Sequence, residues 1–560
     1  MMIDKVNDKD TYTSPIEIQS NPIKNSRLEN ELTFSRAFTK YNISKGNFVP
    51  NKSLKYVDQY GGIPVGTFNG NVLVDSSDSH SLIIGSTGSK KSRLVIMPTV
   101  KILADAGESM IISDPKAEIY ERTSGYLNRQ GYLVNVINLR TPSEGNSWNP
   151  LYIPYLYYLD GQLDRAYEFA NDVAENLMLA EKSVPDPFWD YSSRDLLFGL
   201  ILLLFKFCYN QQMNCDSPNI ANILRLRNYL FKNYYASGSS IINDSSSLLN
   251  KYMNEDFITL SALMGTVSAP EKTQASILCT FDEKMRCFTI QSDLLNMLTC
   301  NNVALDSLGD KKTAIFIIMP DEKTTYHKLV SLFIKQSYEY LIYNAQKHNK
   351  GRMNIRVNYI LDEFSSLPTI KDFPSMISAA RSRNIRFSLA IQSKHQLIEK
   401  YEAETETIQS NCSNWIFLTS REIKLLEEIS LLCGKKANGT KYLVPLEALQ
   451  HFNKEKGEAL VLSGRLYPYV SKLIDIKKYD NDNIIKPPRL NKVEFHDNAI
   501  DFSLSHTEIS SNNTMRVKSL DDLFDNDNDD TSSKEESDLQ KELEAKFDDL
   551  FGSIDAEDEA

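Results

Sequence analysis

The sequence predicts an α/β protein that has a mainly parallel sheet, an inserted all-helical domain and a disordered, acidic C-terminal tail. Three observations support this fold class: short apolar segments recur along the chain, one long stretch with helical spacing interrupts them, and the composition becomes acidic after residue 520. Apolar segments that alternate with helical patterns are typical of parallel sheets covered by helices on both faces. We therefore expect one sheet to which both halves of the chain contribute.

Eight segments have the length and the apolar character of buried strands. Helical patterns separate many of them, as the crossover connections of a parallel sheet require. The predicted strands are residues 82–84, 110–113, 133–139, 313–319, 357–361, 385–391, 414–419 and 458–463.

The series of strands stops between the third and the fourth segment. The intervening residues are rich in Leu, Asn, Ser and Tyr, and apolar side chains recur at helical spacing, as in Tyr167, Phe169 and Val173. The apolar run from Leu196 to Phe205 is too short to span a membrane and predicts a buried helix. We expect this stretch to be an inserted helical domain, after which the strands resume the same sheet.

The cysteines and the N-terminus favour a protein of a reducing cytoplasm. The chain has seven cysteines, none of them in a C-x-x-C pair and none beside a cluster of histidines. Zinc sites and disulfide frameworks are therefore not expected. The N-terminus is polar and carries acidic residues, so the sequence predicts no signal peptide.

The net charge of −12 comes from the C-terminal tail. Residues 521–560 contain 17 Asp and Glu against three Lys, so the remainder of the chain is close to neutral and nucleic acid is not excluded as a ligand. The tail contains Asp-Asp-Leu-Phe twice, at 521–524 and at 548–551. The repeat is either a docking peptide used twice or a chance repetition in a solvated tail.

The most informative motif is a phosphate-binding loop that differs at one position from the usual pattern G-x-x-x-x-G-K-[ST]. Lys90 stands where the second glycine of the pattern is expected, whereas the lysine and the hydroxyl residue are present. The loop follows the strand at 82–84 and consists of Gly85, Ser86, Thr87, Gly88, Ser89, Lys90, Lys91, Ser92 and Arg93.

Such a loop binds ATP through its backbone N–H groups, which surround the phosphates at the start of the next helix. Lys91 is expected to contact the outer phosphates, and the Ser92 hydroxyl is expected to hold magnesium. Lys90 adds both a side chain and a positive charge to the cradle. The alternative is a tight polar turn between a strand and a helix that binds no phosphate.

An acidic pair provides the second half of a nucleotide site. Asp362 and Glu363 directly follow the strand at 357–361, and Gln392 directly follows the strand at 385–391. Asp362 is expected to hold magnesium and Glu363 to act as general base on the attacking water. Gln392 is expected to sense the γ-phosphate or orient that water. The alternative is a strand followed by an ordinary acidic turn.

These motifs divide the chain into six parts. The two parts that carry the predicted strands form one nucleotide-binding domain, which the helical insertion interrupts. The predicted parts are a loosely ordered N-terminal arm at 1–55, the nucleotide-binding domain at 56–165 and 306–480, the helical insertion at 166–305, an extension at 481–520 and the disordered acidic tail at 521–560.

Together with other segments, these motifs resemble the TraG/VirD-type coupling proteins of conjugative type IV secretion systems. The resemblance extends from about residue 60 to residue 480, and the matching segments occur in the same order as in the family. In addition to the phosphate loop and the acidic pair, they are His80–Ile84, Ser109–Tyr120, Trp148–Leu151, Asp186–Trp189, Ala314–Asp321, Ala380–Asn384, Ile391–Ser393 with Gln396 and Leu397, and Asn411 with Cys412.

The resemblance implies a RecA-like P-loop motor domain with an all-helical insertion, assembled as a homo-hexameric ring. By position, Lys91, Ser92, Asp362, Glu363 and Gln392 take the roles given above. Arg381 corresponds to a family arginine that reaches the nucleotide of a neighbouring subunit, where it would stabilise the transferred phosphoryl group. Asp114, Pro115 and Lys116 correspond to a family motif that we expect at a strand end near the nucleotide. An ordinary surface or DNA-facing role for Arg381 remains open.

The implied activity is coupling of ATP hydrolysis to DNA movement. The implied partners are single-stranded or double-stranded DNA bound without sequence preference, a relaxase or relaxosome, and subunits of the secretion channel. Translocating rings hold DNA mainly through basic side chains that contact phosphates. The candidates for this role are Arg381, Arg383 and Arg386, together with Lys272, Lys284 and Arg286 of the insertion.

The chain departs from the family pattern at Lys90, at Ala117, where the family usually has glycine, and in lacking the N-terminal membrane helices of most members. It is therefore expected in the cytoplasm, either free or held at the inner face of the membrane by a separate protein. Two alternatives stay open: a non-hydrolysing adaptor that recruits partners through the acidic tail, and a DNA pump outside secretion, similar to FtsK or HerA proteins. Trp148–Leu151 and Gln396-Leu397 favour the coupling family over the pump.

Overall fold

A computed structural model describes most of the chain between residues 27 and 502. The described residues are 27–49, 60–180, 186–231, 256–320, 322, 326–348, 351–436, 441–464, 466–480, 484–494 and 498–502. The acidic tail with its repeated Asp-Asp-Leu-Phe, and the first 26 residues of the predicted N-terminal arm, lie outside them.

The strands of the described chain contain all eight segments predicted from the sequence, with small differences at the ends. They are β1 (Thr39–Asn42), β2 (Asn47–Val49), β3 (Ile63–Phe68), β4 (Asn71–Asp75), β5 (Ser81–Gly85), β6 (Ser109–Asp114), β7 (Leu133–Asn138), β8 (Thr313–Ile318), β9 (Val357–Leu361), β10 (Ile385–Ile391), β11 (Asn414–Thr419), β12 (Glu458–Ser463) and β13 (Tyr469–Lys472).

The helices of the described residues lie between these strands and in the insertion. They are α1 (Glu31–Arg36), α2 (Met97–Ala106), α3 (Glu118–Arg129), α4 (Tyr152–Leu159), α5 (Leu163–Met178), α6 (Phe188–Asn210), α7 (Ile220–Phe231), α8 (Phe257–Val267), α9 (Glu271–Ile290), α10 (Ser292–Met297), α11 (His327–His348), α12 (Phe373–Ala380), α13 (Lys394–Tyr401), α14 (Glu404–Asn411), α15 (Ile423–Cys433), α16 (Leu446–Gln450) and α17 (Ile476–Tyr479).

The central sheet has the strand order β13-β12-β11-β5-β10-β9-β6-β8-β7. The seven strands from β11 to β7 are parallel, whereas β12 and β13 are added antiparallel at one edge. β5 and β9 are not adjacent, because β10 pairs with both of them. The carboxyl ends of β5, β10 and β9 therefore lie side by side at one edge of the sheet.

Helices and loops cover the sheet on both faces. Successive residues of the central strands pack into two different apolar clusters, as Ile83 and Ile84 of β5 do. This explains why these strands are continuous apolar runs in the sequence rather than alternating ones. Helices α4 to α10, which connect β7 to β8, belong to the cluster that contains Ile84, and the run Leu196–Phe205 is buried within α6 as predicted.

The N-terminal residues 31–49 are ordered, so the prediction of a loosely ordered arm is wrong for this part. They form α1, β1 and β2, and β1 pairs with β4 in a separate antiparallel sheet of order β2-β1-β4-β3. Phe34 stacks on Tyr469 with 4.0 Å between ring centroids, and the Tyr41 hydroxyl donates to Asp105. A few large aromatic side chains order this region, and they are too sparse to produce a periodic sequence pattern.

Residues 484–494 and 498–502 of the predicted extension run along the folded body. The backbone N–H of Val493 donates to the carbonyl of Ser143, and the N–H of Ile500 donates to the side chain of Asn222 in α7. Among the described helices, none combines the length and the apolar character needed to cross a membrane.

Candidate nucleotide-binding site

The phosphate loop lies between β5 and a π-helical turn at Ser92–Ile96 that continues into α2. Gly85 ends the strand, and a Cβ atom at this position would lie 2.5 Å from the hydroxyl oxygen of Ser89, so no larger residue fits without movement. Gly88 adopts a φ of +76°, which favours glycine. The two glycines retained in the sequence therefore stand where the loop geometry needs them.

Lys90 adopts a φ of +68°, in the left-handed region that favours glycine. Its side chain extends out of the loop, and Nζ lies 2.5 Å from a carboxylate oxygen of Glu455. The neighbouring Lys454 donates from Nζ to the carbonyl of Gly88 over 3.1 Å. The turn before β12 thus contacts the phosphate loop at both Gly88 and Lys90.

Lys91 is buried beneath the loop, where Nζ donates to the carbonyl oxygen of Gly85 over 2.6 Å. Burial lowers the pKa of its ammonium group, and the carboxylates of Glu363 and Asp362 act in the opposite direction. The hydroxyl of Ser89 is also buried and has no hydrogen-bond partner among the described residues. Both groups are available to a phosphate bound in the loop.

The acidic pair reaches the phosphate loop at the carboxyl end of β9. Ser92 donates from its hydroxyl to Asp362 Oδ2 over 3.3 Å, although 270 residues separate the two. Asp362 is almost fully buried, and burial, followed by the charge of Glu363, raises the pKa of its carboxyl group to about 6. Lys91 opposes this rise. A cation placed beside Ser92 and Asp362 would relieve the cost of this buried charge.

Gln392 connects the acidic pair to the other side of the loop. At the end of β10, its amide nitrogen Nε2 lies 2.6 Å from both carboxylate oxygens of Glu363. The hydroxyl of Thr87 donates to its amide oxygen over 2.7 Å. Thr87, Gln392 and Glu363 therefore form one hydrogen-bonded chain across the strand ends.

Asp114 lies at the end of β6, which is adjacent to β9. It is fully buried and accepts a hydrogen bond from the backbone N–H of Tyr120 over 2.7 Å. Burial raises the pKa of its carboxyl group to about 7, and the charge of Asp362 adds to the rise. Ala117 adopts a φ of +60°, in the left-handed region that favours glycine. The Asp114-Pro115-Lys116 segment therefore borders the acidic pair, at the strand end where it was expected.

Arg381 is not brought together with these residues within one chain. It is exposed in a short turn between α12 and the amino end of β10, whereas Gln392 follows the carboxyl end of that strand. The seven residues of β10 separate the two ends by about 20 Å. Within a single subunit, Arg381 is therefore at the opposite edge of the sheet from the phosphate loop.

The prediction that Arg386 contacts DNA is wrong, because this side chain is buried in β10. Its guanidinium donates to Asn358 and to Glu108, and burial lowers its pKa to about 10. In the insertion, Lys284 pairs with Asp190 at 2.7 Å, whereas Lys272 and Arg286 are exposed. Sequence patterns identified these residues as basic but gave no information on which of them face solvent.

Lys454 and Glu455 were not predicted at this site. They lie 366 and 365 residues from the loop positions that they contact, in a polar turn without any recognisable motif. By contrast, the five residues Lys91, Ser92, Asp362, Glu363 and Gln392 are all found at the carboxyl ends of β5, β9 and β10.

The groups present fit magnesium together with a triphosphate. Hydroxyl and carboxylate oxygens are the ligands that magnesium prefers, and the ion usually takes one or two protein ligands and completes its shell with phosphate and water. Ser92 and Asp362 offer this pair of ligands. The described residues contain no cluster of three or more acidic, histidine or cysteine side chains that would hold a metal ion by themselves.

Solved structures with a similar fold support the α/β architecture. Plasmid coupling protein TrwB in complex with the non-hydrolysable ATP analogue ADPNP has a TM-score of 0.53 at 13% sequence identity, covering 84% of this chain and 95% of that chain. TrwB in complex with ADP and Mg²⁺ gives the same values. An unbound monoclinic form of TrwBdeltaN70 also has a TM-score of 0.53 at 13% identity, covering 78% and 94% of the two chains. These likenesses confirm the predicted RecA-like fold class.

No curated protein sequence matches the chain at a significant level. The family model of type IV secretory system conjugative DNA transfer, however, matches residues 29–441. This range includes the seven parallel strands of the central sheet, the helical insertion and every residue of the candidate site except Lys454 and Glu455. The chain therefore belongs to the family of type IV secretory system conjugative DNA transfer proteins.

Proposed function

We propose that this protein is a magnesium-dependent ATPase that uses hydrolysis to deliver DNA or nucleoprotein to a conjugative secretion channel. The observation that carries the proposal is the 3.3 Å contact between the Ser92 hydroxyl and Asp362, which unites the two halves of a nucleotide site. Related coupling proteins have been solved with ADPNP and with ADP and Mg²⁺, which supports ATP and magnesium as ligands.

Binding begins with the phosphate loop. The backbone N–H groups of Gly88, Lys90, Lys91 and Ser92 would surround the β- and γ-phosphates, and Lys91 would move its ammonium group from the carbonyl of Gly85 to the phosphate oxygens. Ser92 and Asp362 would hold magnesium, which would neutralise phosphate charge. The pairing of Lys90 with Glu455 supports a loop in which this side chain is held away from the phosphates.

Hydrolysis needs a base that accepts the proton of the attacking water. Glu363 takes this role: as the water oxygen bonds to the γ-phosphorus, its proton passes to the carboxylate, and the bond to the bridging oxygen of ADP breaks. Gln392, which now holds both oxygens of Glu363, turns its amide toward the γ-phosphate and so releases the carboxylate for this task. The Thr87 side chain would move together with Gln392, because its hydroxyl donates to the amide oxygen of Gln392.

The family and the position of Arg381 support a proposal for the wider assembly. Because Arg381 is exposed at the far edge of the sheet, it can reach a phosphate loop only in a neighbouring copy, as in a homo-hexameric ring. DNA would be held without sequence preference by exposed basic residues such as Lys272 and Arg286. A relaxase or relaxosome would supply the substrate, channel subunits would receive it, and a separate membrane protein would anchor the ring.

The test is ATP hydrolysis by the purified protein in the presence of Mg²⁺ and single-stranded DNA. Glu363→Gln should lower kcat by about 100-fold or more while ATP binding is retained, because only the proton acceptor is removed. Glu427→Gln, which changes an exposed carboxylate on α15, should leave kcat unchanged. Equal phosphate release from wild type and Glu363→Gln, or none from the wild type, would contradict the ATPase and favour a non-hydrolysing adaptor.

A further inference from the structure

The outer edge of the central sheet leaves part of β7 without a neighbouring strand. β7 is the last strand of this sheet and pairs with β8 alone among the described strands. The backbone N–H of Leu133 donates to the carbonyl of Lys312, which precedes β8, over 2.9 Å. Because the backbone groups of successive strand residues point to alternate sides, those of Val134 and Val136 point away from β8.

These two outward-facing positions differ in their hydrogen-bond partners. At Val136, the backbone N–H donates to Asn146 Oδ1 over 2.8 Å, and the N–H of Asn146 donates to the carbonyl of Val136 over 2.7 Å. At Val134, which is partly exposed, neither backbone group has a partner among the described residues. Unpaired backbone groups at a sheet edge are a template for the addition of another strand. Val134 thus offers one donor and one acceptor to an extended chain.

A groove of about 430 Å³ opens at this part of β7, between the strand and the extension. This volume is within the range of roughly 300 to 1,000 Å³ that is typical of ligand sites. The extension is held in place there, because the Tyr120 hydroxyl donates to the carbonyl of Pro488 over 2.9 Å and the N–H of Gly145 donates to the carbonyl of Asn491 over 2.8 Å. The groove is lined by Leu133, Val134, Val136, residues 488–492 and Glu494, among others.

The charged side chains that line the groove are Arg489, Lys492 and Glu494, and its other lining residues are uncharged. Arg489 and Lys492 are exposed, and neither forms an ion pair with another described residue. Glu144 lies opposite Lys492 in an antiparallel bridge but does not line the groove. Two basic side chains against one carboxylate favour an acidic ligand. They are few for nucleic acid, because DNA-binding proteins commonly make about 6 to 10 phosphate contacts.

We propose that this groove binds an extended acidic peptide of a partner protein, which pairs with the backbone of Val134 and places its carboxylates beside Arg489 and Lys492. In strand addition of this kind, backbone hydrogen bonds give affinity and alternate side chains give specificity. None of the lining residues belongs to the proposed nucleotide site. The basic residues of the groove lie after residue 441, where the match to the family model ends.

The test of the charge contacts is fluorescence polarisation with two labelled eight-residue peptides and the full chain. One peptide alternates aspartate with valine, and the other alternates asparagine with valine. The wild type should bind the acidic peptide about tenfold more tightly than the neutral one, and Arg489→Glu combined with Lys492→Glu should abolish this preference.

The matched control is Lys478→Glu combined with Lys486→Glu, which makes the same change of charge at exposed positions outside the groove. This variant should keep the preference for the acidic peptide. An equal loss in both double variants would show that only the net charge of the protein matters and would overturn the proposal, as would a wild type that does not bind the acidic peptide.

A second measurement addresses the backbone pairing. Two further acidic peptides carry N-methyl groups on alternate residues, one on the aspartates and the other on the valines. Because only one of these series directs its N–H groups toward β7, one peptide should lose about tenfold or more in affinity and the other should bind like the parent. Equal binding of the two methylated peptides, whether retained or lost, would rule out strand addition.

Other occupants of the groove give different results with the same variants. Single-stranded DNA that binds the wild type and is lost only in Arg489→Glu with Lys492→Glu would assign the groove to nucleic acid. Self-association in sedimentation that the same variant abolishes would assign it to a second copy of the chain. Either result would overturn the proposal of an acidic peptide.

Discussion

At the scale of single residues, Lys90 occupies a backbone conformation that favours glycine. The backbone stays at a φ of +68°, in the left-handed region that costs a non-glycine residue about 1 kcal/mol or more. The side chain pairs with Glu455, which is exposed. A lysine at this position thus adds a positive charge and backbone strain to the loop.

This strain can be measured by comparing two substitutions at the same position. Lys90→Gly and Lys90→Ala both remove the pair with Glu455, so the difference between them reports the backbone. We expect the glycine variant to be more stable by about 1 kcal/mol in urea unfolding, because alanine retains the strain.

The control is the same pair of substitutions at Arg286, which is exposed in α9 and has ordinary helical geometry. There the alanine variant should be the more stable one by about 1 kcal/mol. If alanine is the more stable residue at position 90 as well, Lys90 is not held in a strained conformation.

At the scale of secondary-structure elements, the two ends of the parallel strands of the central sheet carry different kinds of side chain. The carboxyl ends carry the side chains that we expect to act on the nucleotide. The amino edge carries a buried charge cluster centred on Glu108, which is 1% exposed and directly precedes β6. Arg386 of β10 and Arg356 before β9 both pair with it, and the backbone N–H of Gly61 donates to it over 3.0 Å. This cluster joins three neighbouring strands and the start of the smaller sheet.

Removing the charge of Glu108 should therefore destabilise the whole fold. Glu108→Gln leaves two buried guanidinium groups without their shared carboxylate, and breaking such a pair costs about 3 kcal/mol or more. We expect a loss of this size in the free energy of unfolding, measured in urea. Glu427→Gln should stay within about 0.5 kcal/mol of the wild type. A loss below about 1 kcal/mol for Glu108→Gln would show that the cluster contributes little.

At the scale of the whole molecule, the position of Arg381 decides how the site could be completed. One subunit supplies the phosphate loop, the acidic pair and the glutamine, but its own Arg381 is about a strand length away. Any role for this arginine in phosphoryl transfer requires a second copy of the chain. The structure of one subunit is thus consistent with a site that is shared between neighbours in a ring.

The sequence predicted the elements of the molecule better than their arrangement. All eight expected strands are present, because apolar runs flanked by turns identify buried parallel strands. Their order is not encoded in such runs, and β10 was not foreseen between β5 and β9. The small sheet of β1 to β4 was also missed, since its strands are short and are ordered by a few aromatic contacts.

The positions of the candidate site residues were predictable where these residues belong to a recognisable sequence motif. Lys91, Ser92, Asp362, Glu363 and Gln392 follow predicted strands and were found together at one edge. Glu455 and Lys454 belong to no motif, and Arg386 could not be recognised as buried, because burial of an arginine depends on partners such as Glu108 that are distant in the sequence.

The central claim is that Ser92 and Asp362 hold the same magnesium ion beside the triphosphate. A double-mutant cycle on Mg²⁺-ATP binding tests it directly. Ser92→Ala and Asp362→Asn should each weaken binding by about tenfold, and the double variant should be scarcely weaker than either, because each change disrupts the same ion site. Without Mg²⁺ the four proteins should bind ATP alike. Losses that multiply to about 100-fold in the double variant, or that persist without Mg²⁺, would contradict the account.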